Sequence, residues 1–311
     1  MEILLANPRG FCAGVRRAIE TVECALGRYG APVHVLHEIV HNRHVLDELR
    51  QRGAVFVKNL DEVPVGRVIV FSAHGVSRAV EEEARRRGLL PVDATCPLVA
   101  RVQRRVREMT REGREVLILG HAGHPEVEGV RGRAEGPVRV VSRREEIEAL
   151  TVTDPGRLAF VTQTTLSTDD CAMLITALRD RFPAIKAPGG SDICYATQNR
   201  QNAVREIAGQ AALVLVVGSK NSSNSNRLRE EAQRAGCTAY LIDDAGELKP
   251  AWFEGVAQVG VTAGASAPER LVTEVVDWLR AHGDAQVVER KGREETVHFQ
   301  PVELPTLGGT S

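Results

Sequence analysis

The chain has 311 residues, 43% of them hydrophobic, 26% charged and 4% aromatic, with a formal net charge of -1. That length accommodates two or three domains of ~100 residues, and the balanced charge and scarce aromatics argue against nucleic acid or an anionic membrane surface as partner. No run approaches the ~20 apolar residues of a membrane span, the first residues lack a secretory signal, and six cysteines at 12, 24, 96, 171, 194 and 237 are too sparse for a disulfide scaffold, so a cytoplasmic enzyme or binding protein with reduced thiols or metal ligands is expected.

In chain order, a short strand from Ile3 to Ala6 leads into Pro8-Arg-Gly-Phe-Cys12-Ala-Gly and a helical repeat through Val15, Ala18, Ile19, Val22 and Leu26. Cys12 falls in a strand-to-helix turn, where the peptide dipoles and unpaired N–H groups are expected to lower a thiol pKa. Strands are expected at Val33 to Leu36, Ala54 to Val57, Val68 to Phe71 and Leu90 to Val92, with helices through Val45, Leu46 and Leu49 and around Glu81 to Arg87. This βα alternation delivers Asp93 and Cys96. The pattern restarts with a helix through Val99, Val102, Val106 and Met109, strands Glu115 to Leu119, Val138 to Val141 and Leu158 to Val161, a helix near Glu145 to Leu150, and another from Asp169 to Phe182 that precedes Cys194. A third pass reads as helices from Asn199 to Ala208 and up to Ala235, near Glu247 to Phe253, and through Leu279, with strands Ala212 to Val217, Thr238 to Ile242 and Gln258 to Val261. Ala285 to Glu289 suits an added strand, and 301–311, rich in Pro, Gly and Thr, reads as loosely held.

The polar loops repeat. Cys12, Cys96 and Cys194 are followed 29, 28 and 28 residues later by His41, His124 and Ser222, and 62, 68 and 72 residues later by His74, Thr164 and Ser266. A repeat of ~80 to 100 residues implies three similar α/β units, bounded here as 14–96, 97–193, and 194–282 together with 1–13, with 283–311 as an extension. Loops at the C-terminal ends of parallel strands face the ligand, so three units meeting about a pseudo-threefold axis would form a trefoil in which nine polar positions converge on one central cavity.

Three thiolates in equivalent turns suit a cubane iron–sulfur cluster that leaves one iron open to substrate, whereas a structural zinc needs a fourth partner. The plainer reading is three ordinary buried cysteines, and repetition argues against it. Cys24, Cys171 and Cys237 lack such equivalence and read as packing residues. His41, His74 and His124, with Ser222, Ser223, Asn224 and Ser266 near helix N-termini, suit a phosphate or diphosphate pocket, although each histidine alone reads equally well as a loop residue. Glu126 follows His124 across Pro125; it is a candidate general acid with Thr164 or Thr165 as hydroxyl relay, or else a first-turn helix charge. Asp93 and Asp192 read as turn and capping residues. The arginine-rich stretches Arg85 to Arg87 and Arg101 to Arg111 read as solvated helix faces, on which an acidic electron carrier could dock. A zinc-dependent hydrolase of a phosphorylated small molecule and a non-enzymatic iron–sulfur sensor or phosphometabolite-binding protein are the competing classes.

Gly10-Phe-Cys-Ala-Gly14, Glu38-Ile-Val-His-Asn42, Ser72-Ala-His-Gly75, Asp93-Ala-Thr-Cys-Pro97, Gly120-His-Ala-Gly-His-Pro-Glu126, Thr162-Gln-Thr-Thr-Leu-Ser167, Cys194-Tyr-Ala-Thr, Gly218-Ser-Lys-Asn-Ser-Ser-Asn-Ser-Asn226 and Ala265-Ser-Ala-Pro268 occur in this order. From Met1 to about His282 the chain thereby resembles the 4-hydroxy-3-methylbut-2-enyl diphosphate reductases. The resemblance implies a monomeric or weakly associating trefoil around an oxygen-sensitive [4Fe-4S] cluster ligated by Cys12, Cys96 and Cys194, with an apical iron free of protein ligands. It places a diphosphate clamp on His41, His74, His124, Ser222, Ser223, Asn224 and Ser266, and the essential acid on Glu126, aided by Thr164. It further implies ferredoxin or flavodoxin as electron donor, and conversion of (E)-4-hydroxy-3-methylbut-2-enyl diphosphate to isopentenyl and dimethylallyl diphosphate.

Overall fold

In the computed structural model, which describes residues 1–306, three all-parallel sheets share one strand order. The first contains β2 (Val33–Leu36), β3 (Ala54–Val57), β4 (Val68–Phe71) and β5 (Leu90–Asp93), arranged β3-β2-β4-β5. The second contains β6 (Glu115–Leu119), β7 (Val138–Val141) and β8 (Leu158–Thr162), arranged β7-β6-β8, and a single bridge between Ala159 and Lys186 stands where the fourth strand would lie. The third contains β9 (Leu213–Val217), β10 (Thr238–Ile242), β11 (Gln258–Ala263), β1 (Glu2–Leu5) and β12 (Gln286–Glu289), arranged β10-β9-β11-β1-β12.

Helices connect and cover these sheets: α1 (Ala13–Tyr29), α2 (Arg43–Gln51), α3 (Arg78–Arg86), α4 (Pro97–Arg111), α5 (Pro125–Arg131), α6 (Arg144–Ala149), α7 (Thr168–Arg181), α8 (Tyr195–Ala208), α9 (Ser223–Arg234) and α10 (Glu269–Ala281). Strands buried on both faces read as continuous apolar runs, as in β9, whose five residues Leu-Val-Leu-Val-Val are all buried. Each sheet accordingly separates two apolar clusters. In the third unit, Leu213, Leu215 and Val217 face α10 while Val214 and Val216 face α8 and α9.

Four expectations need correction. Helix α8 begins at Tyr195, directly after Cys194 and not at Asn199, because its first turns bury the polar residues Thr197, Asn199, Arg200 and Gln201 and so hide the apolar period. The stretch 247–253 forms two short 3-10 turns, Ala245–Glu247 and Pro250–Phe253, rather than a helix, since Pro250 lacks an N–H and holds Lys249 extended at φ -120°, ψ 124°. Cys24 is exposed on α1 and packs nothing, whereas Cys171 and Cys237 are buried. The tail is not loose over 301–306: Val302 and Leu304 pack on the first unit's core, and the Tyr29 hydroxyl donates to the Pro305 carbonyl at 2.5 Å. The remainder of that expectation, 307–311, lies outside the described residues.

The arginines of the α3 stretch are neutralised locally, by pairs such as Arg85 with Glu81 and Arg87 with Glu83, whereas in α4 Arg105 and Arg111 reach outside their helix, to Asp192 and Glu135. Asp93 makes the expected turn, accepting from the Thr95 amide at 2.9 Å. Asp192 does more: nearly fully buried, it accepts from the Thr162 amide at 3.1 Å and pairs with Arg105 of α4, pinning the chain ahead of Cys194 to the end of β8. Among the described residues no helix is long and apolar enough to cross a membrane.

Phe160 in β8 is 1% exposed and packs in the second unit's core, so Phe160→Ala is expected to lower unfolding free energy by about 3–5 kcal/mol in chemical denaturation. Val65→Ser, at a site 81% exposed, should change it by under about 0.5 kcal/mol.

Candidate active site

Each unit sends three strand ends to the centre. After the first strand of each unit, β2, β6 or β9, the chain places His41, His124 or Ser222 beside the N-terminus of α2, α5 or α9. After β4, β8 or β11 it places His74, Thr164 or Ser266. The fourth segment of each sheet leads to a cysteine that caps the next helix: Cys96 on α4, Cys194 on α8 and Cys12 on α1. One backbone hydrogen bond recurs at all three seams, from the Cys12 amide to the Ala265 carbonyl (3.2 Å), from Cys96 to Ala73 (3.0 Å) and from Cys194 to Thr164 (3.1 Å).

All thirteen predicted site residues line one cavity of about 110 Å³: Cys12, Cys96, Cys194, His41, His74, His124, Glu126, Thr164, Thr165, Ser222, Ser223, Asn224 and Ser266. His41 and His74 also line an adjoining cleft of about 750 Å³ between the first two units, which offers an approach from solvent.

The histidine rings form a compact trio. His41 stacks on His74 with centroids 4.2 Å apart, and His124 meets both edge-on at 5.8 and 5.9 Å. Their hydrogen bonds set the tautomers. His124 Nδ1 accepts from the Glu126 amide at 3.2 Å, which leaves the proton of the neutral ring on Nε2, whereas His41 Nδ1 lies 2.7 Å from Glu38 Oε2 and donates to it. Asn221 Nδ2 also donates to Glu38 Oε2, at 2.8 Å, so this carboxylate joins the first and third units. Burial, followed by the neighbouring His41, pushes His124 down to about 4, and the same causes with His124 added hold His74 well below the usual range.

Glu126 lies in the first turn of α5, yet its carboxylate does not cap that helix. It turns inward to accept from the Thr164 amide at 2.7 Å and the Thr164 hydroxyl at 2.9 Å. Only 2% exposed, it is pushed up to about 7, because burial outweighs those two bonds. On the third unit, the Ser266 hydroxyl donates to the His41 carbonyl at 2.8 Å and Thr165 donates to Ser223 at 3.1 Å. Asn224 Oδ1 accepts from the Ala265 amide at 2.8 Å. Among the described residues, His41 Nε2, His124 Nε2 and Asn224 Nδ2 are buried without a partner. Leaving a buried polar atom unpaired costs about 1–3 kcal/mol, so the two donors among them, on His124 and Asn224, mark a surface shaped for an anion.

Two of the cysteines, Cys96 and Cys194, depart from expectation in one respect. Cys12 Sγ and Cys194 Sγ accept from the amides of Val15 and Thr197 at 3.5 and 3.3 Å, as helix caps do. Burial nevertheless pushes Cys96 up to about 12 and Cys194 up to about 11, with the neighbouring Cys12 adding to both, so desolvation and mutual repulsion exceed the pull of the helix N-termini. Thiolates here call for a bound cationic centre. The donor set fits a cluster: three sulfurs line one cavity, and at Gly14 a Cβ would stand 2.5 Å from Cys96 Sγ and 3.9 Å from Cys12 Sγ, so the missing side chain leaves room for both. Among the described residues no three His, Cys, Asp or Glu side chains gather as ligands of a single ion. A cubane instead takes each thiolate on a different iron.

Four contributors escaped the sequence reading as individuals. Gly14, Glu38 and Asn221 sit inside the quoted motifs, where a small residue in the first turn of a helix and a carboxylate three residues from a histidine were usable signals. Arg200, buried behind Cys12, carries no local signal.

The sequence profile of the LytB protein family matches residues 3–280. The 4-hydroxy-3-methylbut-2-enyl diphosphate reductase of Azoarcus sp. is 58% identical to this chain and that of Hahella chejuensis 59%, the alignments covering 97% and 98% of both partners. Among solved structures, the E-1-hydroxy-2-methyl-but-2-enyl-4-diphosphate reductase from Plasmodium falciparum superposes with a TM-score of 0.92 at 36% identity, covering 96% of this chain and 95% of that one. A profile match across nearly the whole chain, together with relatives of this similarity, establishes that the chain belongs to the LytB protein family.

Proposed function

We infer that the chain is an iron–sulfur reductase that removes the 4-hydroxyl of (E)-4-hydroxy-3-methylbut-2-enyl diphosphate, using two electrons and two protons to give isopentenyl or dimethylallyl diphosphate plus water. The observation that carries this reading is the meeting of three cysteine-capped helices, one from each seam, with a histidine trio and a buried glutamic acid in one cavity. Cys12, Cys96 and Cys194 would hold a [4Fe-4S] cluster whose fourth iron, free of protein ligands, supplies Lewis acidity at the hydroxyl and electrons one at a time. Ferredoxin or flavodoxin is the proposed donor, the cytoplasm the compartment, and a monomer or weak dimer the working form.

The diphosphate lies against His41, His74, His124, Ser222, Ser223, Asn224 and Ser266. His124 donates from Nε2 while uncharged. His41 commits its Nδ1 proton to Glu38. The N-termini of α2 and α9 add positive potential. An anchored diphosphate holds the allylic hydroxyl near Glu126, which gives its proton to the departing oxygen and so releases water. Thr164 aligns that carboxyl through its amide and hydroxyl. A second proton reaches either end of the allylic carbons and decides which product forms.

Anaerobic iron and sulfide analysis, with turnover of the hydroxylated diphosphate by dithionite-reduced viologen, tests the reading directly; protein that gains no iron after reconstitution would falsify it. Cys96→Ser should lose bound iron, and Gly14→Ala should lose part of it through the clash with Cys96 Sγ while circular dichroism stays unchanged.

Glu126→Gln is expected to keep the cluster's absorption and its affinity for inorganic diphosphate yet lose turnover; near-normal turnover would remove Glu126 from the acid role. The working form is the protonated acid and its folded pKa is raised to about 7, so kcat should be full below that pH and fall as pH rises through it.

A further inference from the structure

Arg200 of α8 is the largest fully buried side chain described, and all its hydrogen bonds run to three places. Nε and Nη2 donate to the Gly10 carbonyl at 2.9 and 2.7 Å, and Nη1 donates to the Ala196 carbonyl at 3.1 Å. Nη1 and Nη2 also donate to Oε1 and Oε2 of Glu295 at 2.9 and 3.2 Å. Gly10 precedes Cys12 by two residues, and Ala196 follows Cys194 by two. One guanidinium thus grips the backbone beside two of the three thiol-bearing turns.

The Cys12 turn is held from its other side as well. The amides of Gly10 and Cys12 donate to the carbonyls of Ala263 and Ala265, both at 3.2 Å. Gly10 adopts φ +67°, where a Cβ would come within 3.2 Å of the Ala267 carbonyl oxygen, so the turn is clamped between β11 and Arg200. A buried cation persists only beside an anion, and Glu295, on the irregular segment after β12, is the carboxylate that pairs with Arg200 among the described residues. Asn199 Nδ2 donates to the same Oε1 at 3.0 Å and fixes it further.

We propose that Glu295 is a positioning residue for the thiolate site. By neutralising Arg200 and orienting its fork, Glu295 sets the Gly10 carbonyl and the first turn of α8, and through them the separation of Cys12 from Cys194. It touches neither thiol. The proposal rests on the inference that these cysteines hold a cluster, and it gives the C-terminal segment, which carries no motif, a part in retaining iron. Groups one step removed from metal ligands typically change metal affinity by roughly 10- to 100-fold when altered.

The test compares Glu295→Gln, Glu295→Asp and a chain ending at Pro301, which keeps Glu295 and the Gln300 carbonyl bonded by Arg17 but removes the contacts of Val302, Leu304 and Pro305. Each is loaded with iron and sulfide under nitrogen. Loss of cluster absorbance to excess chelator is then followed, alongside the electron paramagnetic resonance of the reduced protein and Tm. Glu295→Gln should lose its cluster roughly 10-fold faster than the unaltered chain, with a changed resonance, and Glu295→Asp should fall between them. The shortened chain should show a lower Tm with the unaltered rate. A rate in Glu295→Gln equal to that of the unaltered or the shortened chain would overturn the proposal, and where the glutamine variant does not fold, an unaltered rate in Glu295→Asp does the same. Failure of the unaltered chain to take up iron would instead overturn the cluster reading itself.

Discussion

Three amide-to-carbonyl hydrogen bonds, from Cys12, Cys96 and Cys194 to Ala265, Ala73 and Thr164, hold the molecule's centre together. Each lies where the chain leaves one sheet and starts a helix over the next unit, so every thiol is placed by two units at once. The same bonds align the cysteines with His74, Thr164 and Ser266, which sit on or directly after the accepting residues. Parallel sheets make this possible, because all their strands end on the same side and can be turned toward one axis.

Bringing so many ionisable groups into a small space of low polarity has a common effect on five of them. Glu126, Cys96 and Cys194 are driven toward their protonated forms, His74 and His124 toward their deprotonated ones. Burial thus disfavours charge on each of these five groups. Diphosphate and a metal centre would reverse this in opposite halves of the site, the anion favouring cationic histidines and the irons favouring thiolates. Glu126 lies between, and its neutral form suits a group that must give a proton away.

The architecture was legible because the units repeat. Spacings of 28 or 29 residues from cysteine to His41, His124 and Ser222 survive in the sequence since each spans one helix and one strand of fixed size. Buried parallel strands such as β4, β6 and β9 announce themselves as apolar runs. What stayed hidden depends on contacts between units. The start of α8 was masked by buried polar residues, the thiol pKa values by desolvation that no local pattern encodes, and the partnership of Arg200 with Glu295 by a separation of 95 positions along the chain. The tail looked loose because Val302 and Leu304 are isolated apolar residues whose partners lie on the first unit. The convergence of thirteen named residues was readable in outline, whereas the atoms that aim them, on Gly14, Glu38 and Asn221, required coordinates.

Strand β1 belongs to the last unit and not to the one that follows it in sequence. Glu2 pairs in register with Gln258 on one side and Gln286 on the other, so Ile3 and Leu4 have no sheet to enter until both distant partners have been synthesised. Closing so large a loop is slow in entropic terms. During translation the Cys12 turn must therefore wait, made early and seated late, while the first two units can already organise around their own sheets. A ribosome stalled before β11 would present two of the three sulfur-bearing turns on formed sheets and leave the third dangling, so the three cysteines meet only once that strand has been made.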